Sequence, residues 1–264
     1  MENTNIFVSA ASTISDVGAI VKRNLMRVRR SPQILVFSSI QPIMFLVLFN
    51  YVFGGAIGIS TAGSGSYINF LLPGIMAQSA LFGALQTPVA LVEDLDKGAI
   101  DRFRSLPMSR IAVLAGRTIA DGLRTTFTII LMFVVGTMMG FRYQAGTSKF
   151  LAALVLVVAF SFAFSWVTAT LGLFIRNAEA VQTAGVLFVF PLTFASSAFV
   201  PVATMPGWLQ EFARNQPVTQ LINAMRALLL GGVAIDAVYI TMAWIVGILV
   251  IFVPLAIWKF KRSV

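Results

Sequence analysis

EDLDKGAIDRFRSLPMSR, residues 93–110, is a densely charged stretch between two long apolar runs. Wound as a helix, it places Leu95, Ala99, Ile100 and Phe103 on one face. Asp94, Lys97, Asp101 and Arg104 fall on another, three or four residues apart and alternating in sign. Pro107 stops that helix, and Ser109 is placed to cap the next. The stretch reads as a short amphipathic helix wedged between two hydrophobic spans. Two readings stay open from the residues alone: a solvated connector, or a docking element for a soluble partner. The apolar face favours docking, because a plain connector needs none.

Outward from this stretch the chain is apolar in both directions. Of its 264 residues 58% are hydrophobic and 11% charged, against about 25% charged in soluble domains. That composition predicts an all-α membrane protein. The net charge of +9 does not point to nucleic acid, because the basic residues flank hydrophobic runs and form no cluster with stacking aromatics. With no cysteine and no histidine, disulfides, thiolate chemistry and the commonest general base and metal ligand are all missing. No metal site and no catalytic residue are expected. No cleavable signal peptide is evident either.

Six transmembrane helices are expected, at about 33–53, 67–92, 110–140, 150–175, 181–199 and 237–258, in one domain covering 1–264. Before them, residues 12–30 suit an amphipathic helix in the membrane interface. There Ile14, Val17, Val21, Leu25 and Val28 recur every three or four residues, with Lys22, Arg23, Arg27, Arg29 and Arg30 between them. Prolines at 42, 73, 88 and 191 fall inside spans, where they free carbonyls and allow bends. Between the fifth and sixth spans, residues 206–231 predict an outer helical hairpin. Pro206 and Pro217 start its helices and Gly231-Gly232 ends it. Both helices are expected to rest in the outer leaflet.

Basic residues set the orientation. Five precede the first span, six lie in 93–124, Arg176 follows the fourth span and three close the chain; four fall on the opposite side. This bias predicts a multi-pass protein of the cell membrane with both termini cytosolic. There is no G-x-x-x-x-G-K-[ST], so the chain does not hold ATP in a P-loop. Arg117, Asp121 and Arg124 share one face of the third span toward its cytosolic end, where Asp121 is expected to pair with one or both arginines. The alternative is a buried ionic site. No other acid lies near the middle of a span, which disfavours an ion-coupled secondary carrier. A non-transporting scaffold or immunity protein is a further alternative. Gln78, Phe82 and Gln86 in the second span, with Phe190, Phe194, Ser196 and Ser197 in the fifth, are candidates for a substrate path. Hydrogen bonding between helices is the competing reading of the polar ones.

The pattern as a whole resembles the permeases of the ABC-2 type transporter family. YINFLLPGIMAQSALFG (67–83), LDKGAIDRFRSLPMSR (95–110) and FVFPLTFASSAFVPVATMPGWLQEFARNQPVTQLINAMRALLLG (188–231) are similar to the daunorubicin/doxorubicin-resistance branch. The resemblance implies a permease subunit that exports an amphipathic drug, antibiotic or lipid-like compound. It implies a second permease copy, identical or a close paralogue, and two cytosolic ATPases that hold the ATP and Mg; no cofactor is bound by this chain. It also implies that 93–107 is the coupling helix. Glu93, Lys97, Gly98, Asp101, Arg102, Arg104 and Pro107 fall on the matching motif, with Leu95, Ile100 and Phe103 as its apolar face.

Overall fold

The computed structural model describes residues 32–58, 66–96, 110–175, 177–232 and 235–263, with Gly18, Val21, Lys22 and Met26 besides. The expected interfacial helix at 12–30, apart from those four residues, and the segment 97–109 lie outside the described residues. Every long described element is helical: α1 Pro32–Gly58, α2 Tyr67–Ala84, α3 Gln86–Asp96, α4 Arg110–Met138 and α5 Gly146–Ile175. α6 Ala178–Phe194 follows, then a 3-10 turn at Val202–Thr204, α7 Gly207–Asn215, α8 Pro217–Leu230 and α9 Ile235–Ser263.

Among the described residues, five segments are long and apolar enough to cross a membrane: Ser38–Gly55, Tyr67–Glu93, Ala115–Met138, Gly146–Ile175 and Ile235–Phe260. α6, which overlaps the expected fifth span over 181–194, is shorter, at 17 residues or about 26 Å. Asn177 caps its start by accepting a hydrogen bond from the Ala180 N–H at 2.9 Å, and Glu179 lies in its first turn, favourable for the helix dipole. Its helical hydrogen bonding ends soon after Pro191.

α2 is the axis of the bundle. Leu71, Leu72, Ile75, Ala77, Ala80 and Leu81 are all 0% exposed, and α1, α4, α5 and α8 pack around it. Glycines let its neighbours close in. A Cβ on Gly74 would lie 2.4 Å from the Ala198 carbonyl oxygen, so α2 and the 195–199 turn touch backbone to backbone.

α7 and α8 start at the predicted prolines, and Gly231 stops α8 in the left-handed conformation (φ 84°). Their environments differ from the expectation that both rest in the outer leaflet. α7 exposes Trp208 and Phe212. α8 is instead sunk into the bundle against α2, α5 and α9, with Val218, Leu221, Ile222, Ala224 and Met225 at 0% exposure.

Candidate functional site

The expected second span is broken. Pro88 has no N–H for the Ala84 carbonyl and would crowd it in a continuous helix, so α2 ends there and α3 starts after Leu85. The surrounding helices supply donors. The Thr168 hydroxyl lies 2.8 Å from the freed Ala84 oxygen and 3.1 Å from its own Ser165 carbonyl. The Ser161 hydroxyl donates to the Ala80 oxygen at 3.0 Å, and Arg124 donates to the Gly83 oxygen at 3.2 Å. Thr168→Val should therefore leave the Ala84 carbonyl without its donor and lower stability by about 1 kcal/mol. Thr168→Ser should restore most of that in thermal unfolding of the purified protein. An unchanged midpoint in the valine variant would refute the assignment.

The charged face of α4 braces the same break. Thr87 donates to Asp121 Oδ2 at 2.7 Å, and Asp121 Oδ1 faces Arg124 at 3.5 Å. The expected pairing of Asp121 is thus made with Arg124. Arg117 has an interaction of its own.

Beside the break lies a cavity of about 400 Å³ walled by α1, α2, α3, α4 and α6. Five of the residues expected along a substrate path line it: Gln78, Phe82, Gln86, Phe190 and Phe194. Gln41 and Ser38 of α1, Arg124 and Thr128 of α4, and Gln182 of α6 join them. Gln78 is only 3% exposed, and its carboxamide oxygen is buried with no hydrogen-bond partner among the described residues. Phe190 and Phe194 stack at 4.2 Å between ring centroids.

Sequence reasoning missed Gln41, Gln182 and Arg124 as cavity residues. The available signal was Gln41-Pro42: a polar side chain beside a helix-interior proline, the same pairing as Gln86 near Pro88.

Ser196 and Ser197 are not in the cavity lining. They belong to a buried polar knot beneath α8. Ser196 donates to the Thr193 carbonyl at 2.6 Å, and the Ser197 N–H donates to the Thr219 hydroxyl at 3.3 Å. Arg226 donates to the Ser197 carbonyl at 2.6 Å and, through Nε and Nη2, to the Phe70 carbonyl at 3.1 and 2.9 Å. Its guanidinium also lies over the Phe70 ring, 3.6 Å from the centroid. Tyr67 closes the knot by donating to the Phe199 carbonyl at 3.0 Å. Ser196 thus bonds within its own turn, and Ser197 bonds to α8.

Of the expected coupling helix, Glu93 is half-buried at the end of α3 and has a partner, and Leu95 is in the last turn of the same helix. Lys97, Gly98, Ile100, Asp101, Arg102, Phe103, Arg104 and Pro107 lie outside the described residues.

Residues 15–230 match the family model described as ABC-2 type transporter. The chain is 32% identical over 253 residues to "Daunorubicin resistance ABC transporter permease protein DrrB1" of Streptomyces coeruleorubidus, covering 96% of this chain and 88% of that one. It is 31% identical over 243 residues to "Probable doxorubicin resistance ABC transporter permease protein DrrC" of Mycobacterium tuberculosis, covering 91% and 87%. A more distant relative, "Putative transport permease ycf38" of Cyanophora paradoxa, is 27% identical over 222 residues, 81% of this chain and 74% of that one. With matches of this length, on a bundle of apolar helices, the chain belongs to the ABC-2 type transporter family.

Proposed function

We propose that the chain is the membrane-spanning permease of an ATP-driven exporter, and that the cavity at the α2–α3 break is part of its path for an amphipathic cargo. The observation that carries this reading is the cavity itself. Its wall pairs phenyl rings with uncharged carboxamides and hydroxyls, the lining of a site for a compound with an apolar body and polar edges. Two permease copies would meet through α1 and α6, whose outward faces are apolar and flank the cavity: Val36, Met44, Tyr51, Leu187 and Phe190 are each at least half exposed. ATP and Mg would be held by two cytosolic ATPases.

The sixth crossing in this reading is α6 extended by the turn at 195–199, with both termini cytosolic. α7 would then face outward. The chain has no cysteine and Glu211 is exposed, so a single Glu211→Cys variant should react with a membrane-impermeant maleimide added outside intact cells. Reaction only after the cytosol is opened would reverse the orientation.

Force from the ATPases would enter through residues 93–107. Phe103 is the anchor, because an aromatic group in a desolvated pocket dominates a small interface; its removal should cost about 2 kcal/mol, roughly thirtyfold in affinity. Asp101 sets register through charge. Phe103→Ala, and separately Asp101→Arg, should leave the permease inserted and folded but weaken co-purification of its partner P-loop ATPase and abolish efflux. Normal capture and normal efflux in both variants would reduce this stretch to a connector.

A further inference from the structure

We propose that the C-terminal end of α9 and the adjoining end of α5 form a binding site for the headgroup of an anionic phospholipid, held by Lys259 and Arg262. The site is apart from the cavity and does not depend on what the cavity carries. It uses neither α1 nor α6, the helices assigned to the contact between copies.

The depth of the site follows from α9. This helix exposes Tyr239 and Trp258, 19 positions apart and so about 28 Å along the axis. That is close to the thickness of a bilayer's hydrocarbon core, about 30 Å, and tyrosine and tryptophan gather at its two boundaries. Trp258 therefore marks one boundary. Lys259 and Arg262, the next positions outward, stand at the level of the headgroups.

The geometry prepares two cations for one anion. Lys259 Nζ lies 4.4 Å from the centroid of the Phe174 ring, and the Arg262 guanidinium lies 4.3 Å from that of Trp258. Both rings are exposed. Phe174 belongs to α5, so the first pair crosses the seam between two helices. The rings steady long, flexible stems and leave the N–H donors at their ends available. Neither cation makes an ion pair or a hydrogen bond with another described residue. Three residues apart on a helix, the two side chains are neighbours and repel; a phosphodiester between them removes that repulsion. The guanidinium fork meets two of its oxygens and the ammonium adds a point charge. The helix dipole also favours cations in this last turn, but it requires no aromatic rests for them.

The surface beside the cations selects a lipid over a free anion. Trp244, Ile251, Leu255, Trp258 and Arg262 follow one another at helical spacing and share one face of α9. Trp244, Ile251 and Trp258 are exposed. The stripe runs from the cation into the hydrocarbon region, so a phosphate at its end continues into a track for an acyl chain. Inorganic phosphate would use the cations alone.

The purified permease is mixed in detergent with phosphatidylglycerol and phosphatidylcholine of the same acyl chains. Retained lipid is counted by native mass spectrometry, which also reads the oligomeric state. The wild type should retain phosphatidylglycerol at least fivefold over phosphatidylcholine. Lys259→Gln with Arg262→Gln should cut that preference at least threefold. Arg142→Gln with Lys149→Gln removes the same charge from exposed side chains at the other end of the bundle and should keep it. Phe174→Leu with Trp258→Leu keeps every charge, so it tests the rings even should the charge variant fail to fold; it should cut the preference at least twofold. Phosphatidylglycerol should also raise the thermal midpoint of the wild type and not that of the Lys259/Arg262 variant. No preference in the wild type, an unchanged preference in the ring variant, or equal losses in the two charge variants would overturn the site. Inorganic phosphate that displaces phosphatidylglycerol, or raises the midpoint as much, would overturn the lipid as its occupant. A Lys259/Arg262 variant that falls apart into single copies with its lipid preference intact would assign this face to a second copy instead.

Discussion

Arg226→Met should lower the stability of the folded permease by about 3 kcal/mol, seen as a fall in the thermal midpoint in detergent and a smaller fraction surviving extraction. Methionine keeps the length and apolar stem of the side chain, so the loss isolates the guanidinium. That group donates to the carbonyls of Ser197 and Phe70 at once and covers the Phe70 ring. It therefore ties three parts of the chain together: α8, α2 and the turn after α6. The Ser197 carbonyl sits in a buried turn, where water cannot replace the lost donor. A planar fork with several donors makes these contacts at fixed geometry, whereas an ammonium group cannot. Arg226→Lys should accordingly recover less than half of the loss. A midpoint within one degree of wild type for Arg226→Met would show that the knot contributes nothing to holding α8.

The long helices were legible in the sequence because their cause is local. α1, α5 and α9 are apolar runs of membrane length, and the starts and stop at Pro206, Pro217 and Gly231 follow from backbone geometry that needs no partner. The burial of α8 was not legible. Thr219, Gln220, Asn223 and Arg226 give it the polar share of an interface helix, and on hydropathy alone it belongs at a surface. Thr219 and Arg226 are accommodated in the interior because the turn after α6 offers the Ser197 N–H and carbonyl, and α2 the Phe70 carbonyl, at the right place, and that is a tertiary fact. The candidate path was half legible for a related reason. Gln78, Phe82 and Gln86 stood out as polar or aromatic groups beside a proline-disrupted span. Gln182 lies near the start of another helix and reaches the same space only because α6 packs on α3 and α2. Ser196 and Ser197 misled in the other direction: clustered hydroxyls after Pro191 look like a lining, yet they satisfy their own turn and α8.

Gly74→Ala, the addition of a single methyl group, should be as damaging as the loss of Arg226, at about 3 kcal/mol or more. Overpacking usually costs about 1–3 kcal/mol because neighbouring side chains can move aside. Here the new Cβ would lie 2.4 Å from the Ala198 oxygen, 2.7 Å from its Cα and 2.9 Å from its carbonyl carbon, and those are backbone atoms. The turn that holds them is tied to α2 at two places in the turns before Gly74, by Tyr67 to the Phe199 carbonyl and by Arg226 bridging the Phe70 and Ser197 carbonyls. Relief of the clash requires α2 and the turn to separate, and separation stretches both links. Gly185 supplies the control. A Cβ there meets a tip of Leu85, Cδ2, at 2.7 Å, and that tip can rotate, so Gly185→Ala should cost less than about 1 kcal/mol. The two variants add the same methyl to glycines in the same bundle, so equal thermal midpoints would show that the Gly74 contact yields as easily as a side chain. If Gly74→Ala is the lower of the two, the effect should reach the cavity. Gln78 is one helical turn further along α2 and faces the same side, so a displaced α2 carries its unpartnered oxygen away from the site. Export should then fall in whatever Gly74→Ala protein still folds, while Gly185→Ala exports as the wild type does.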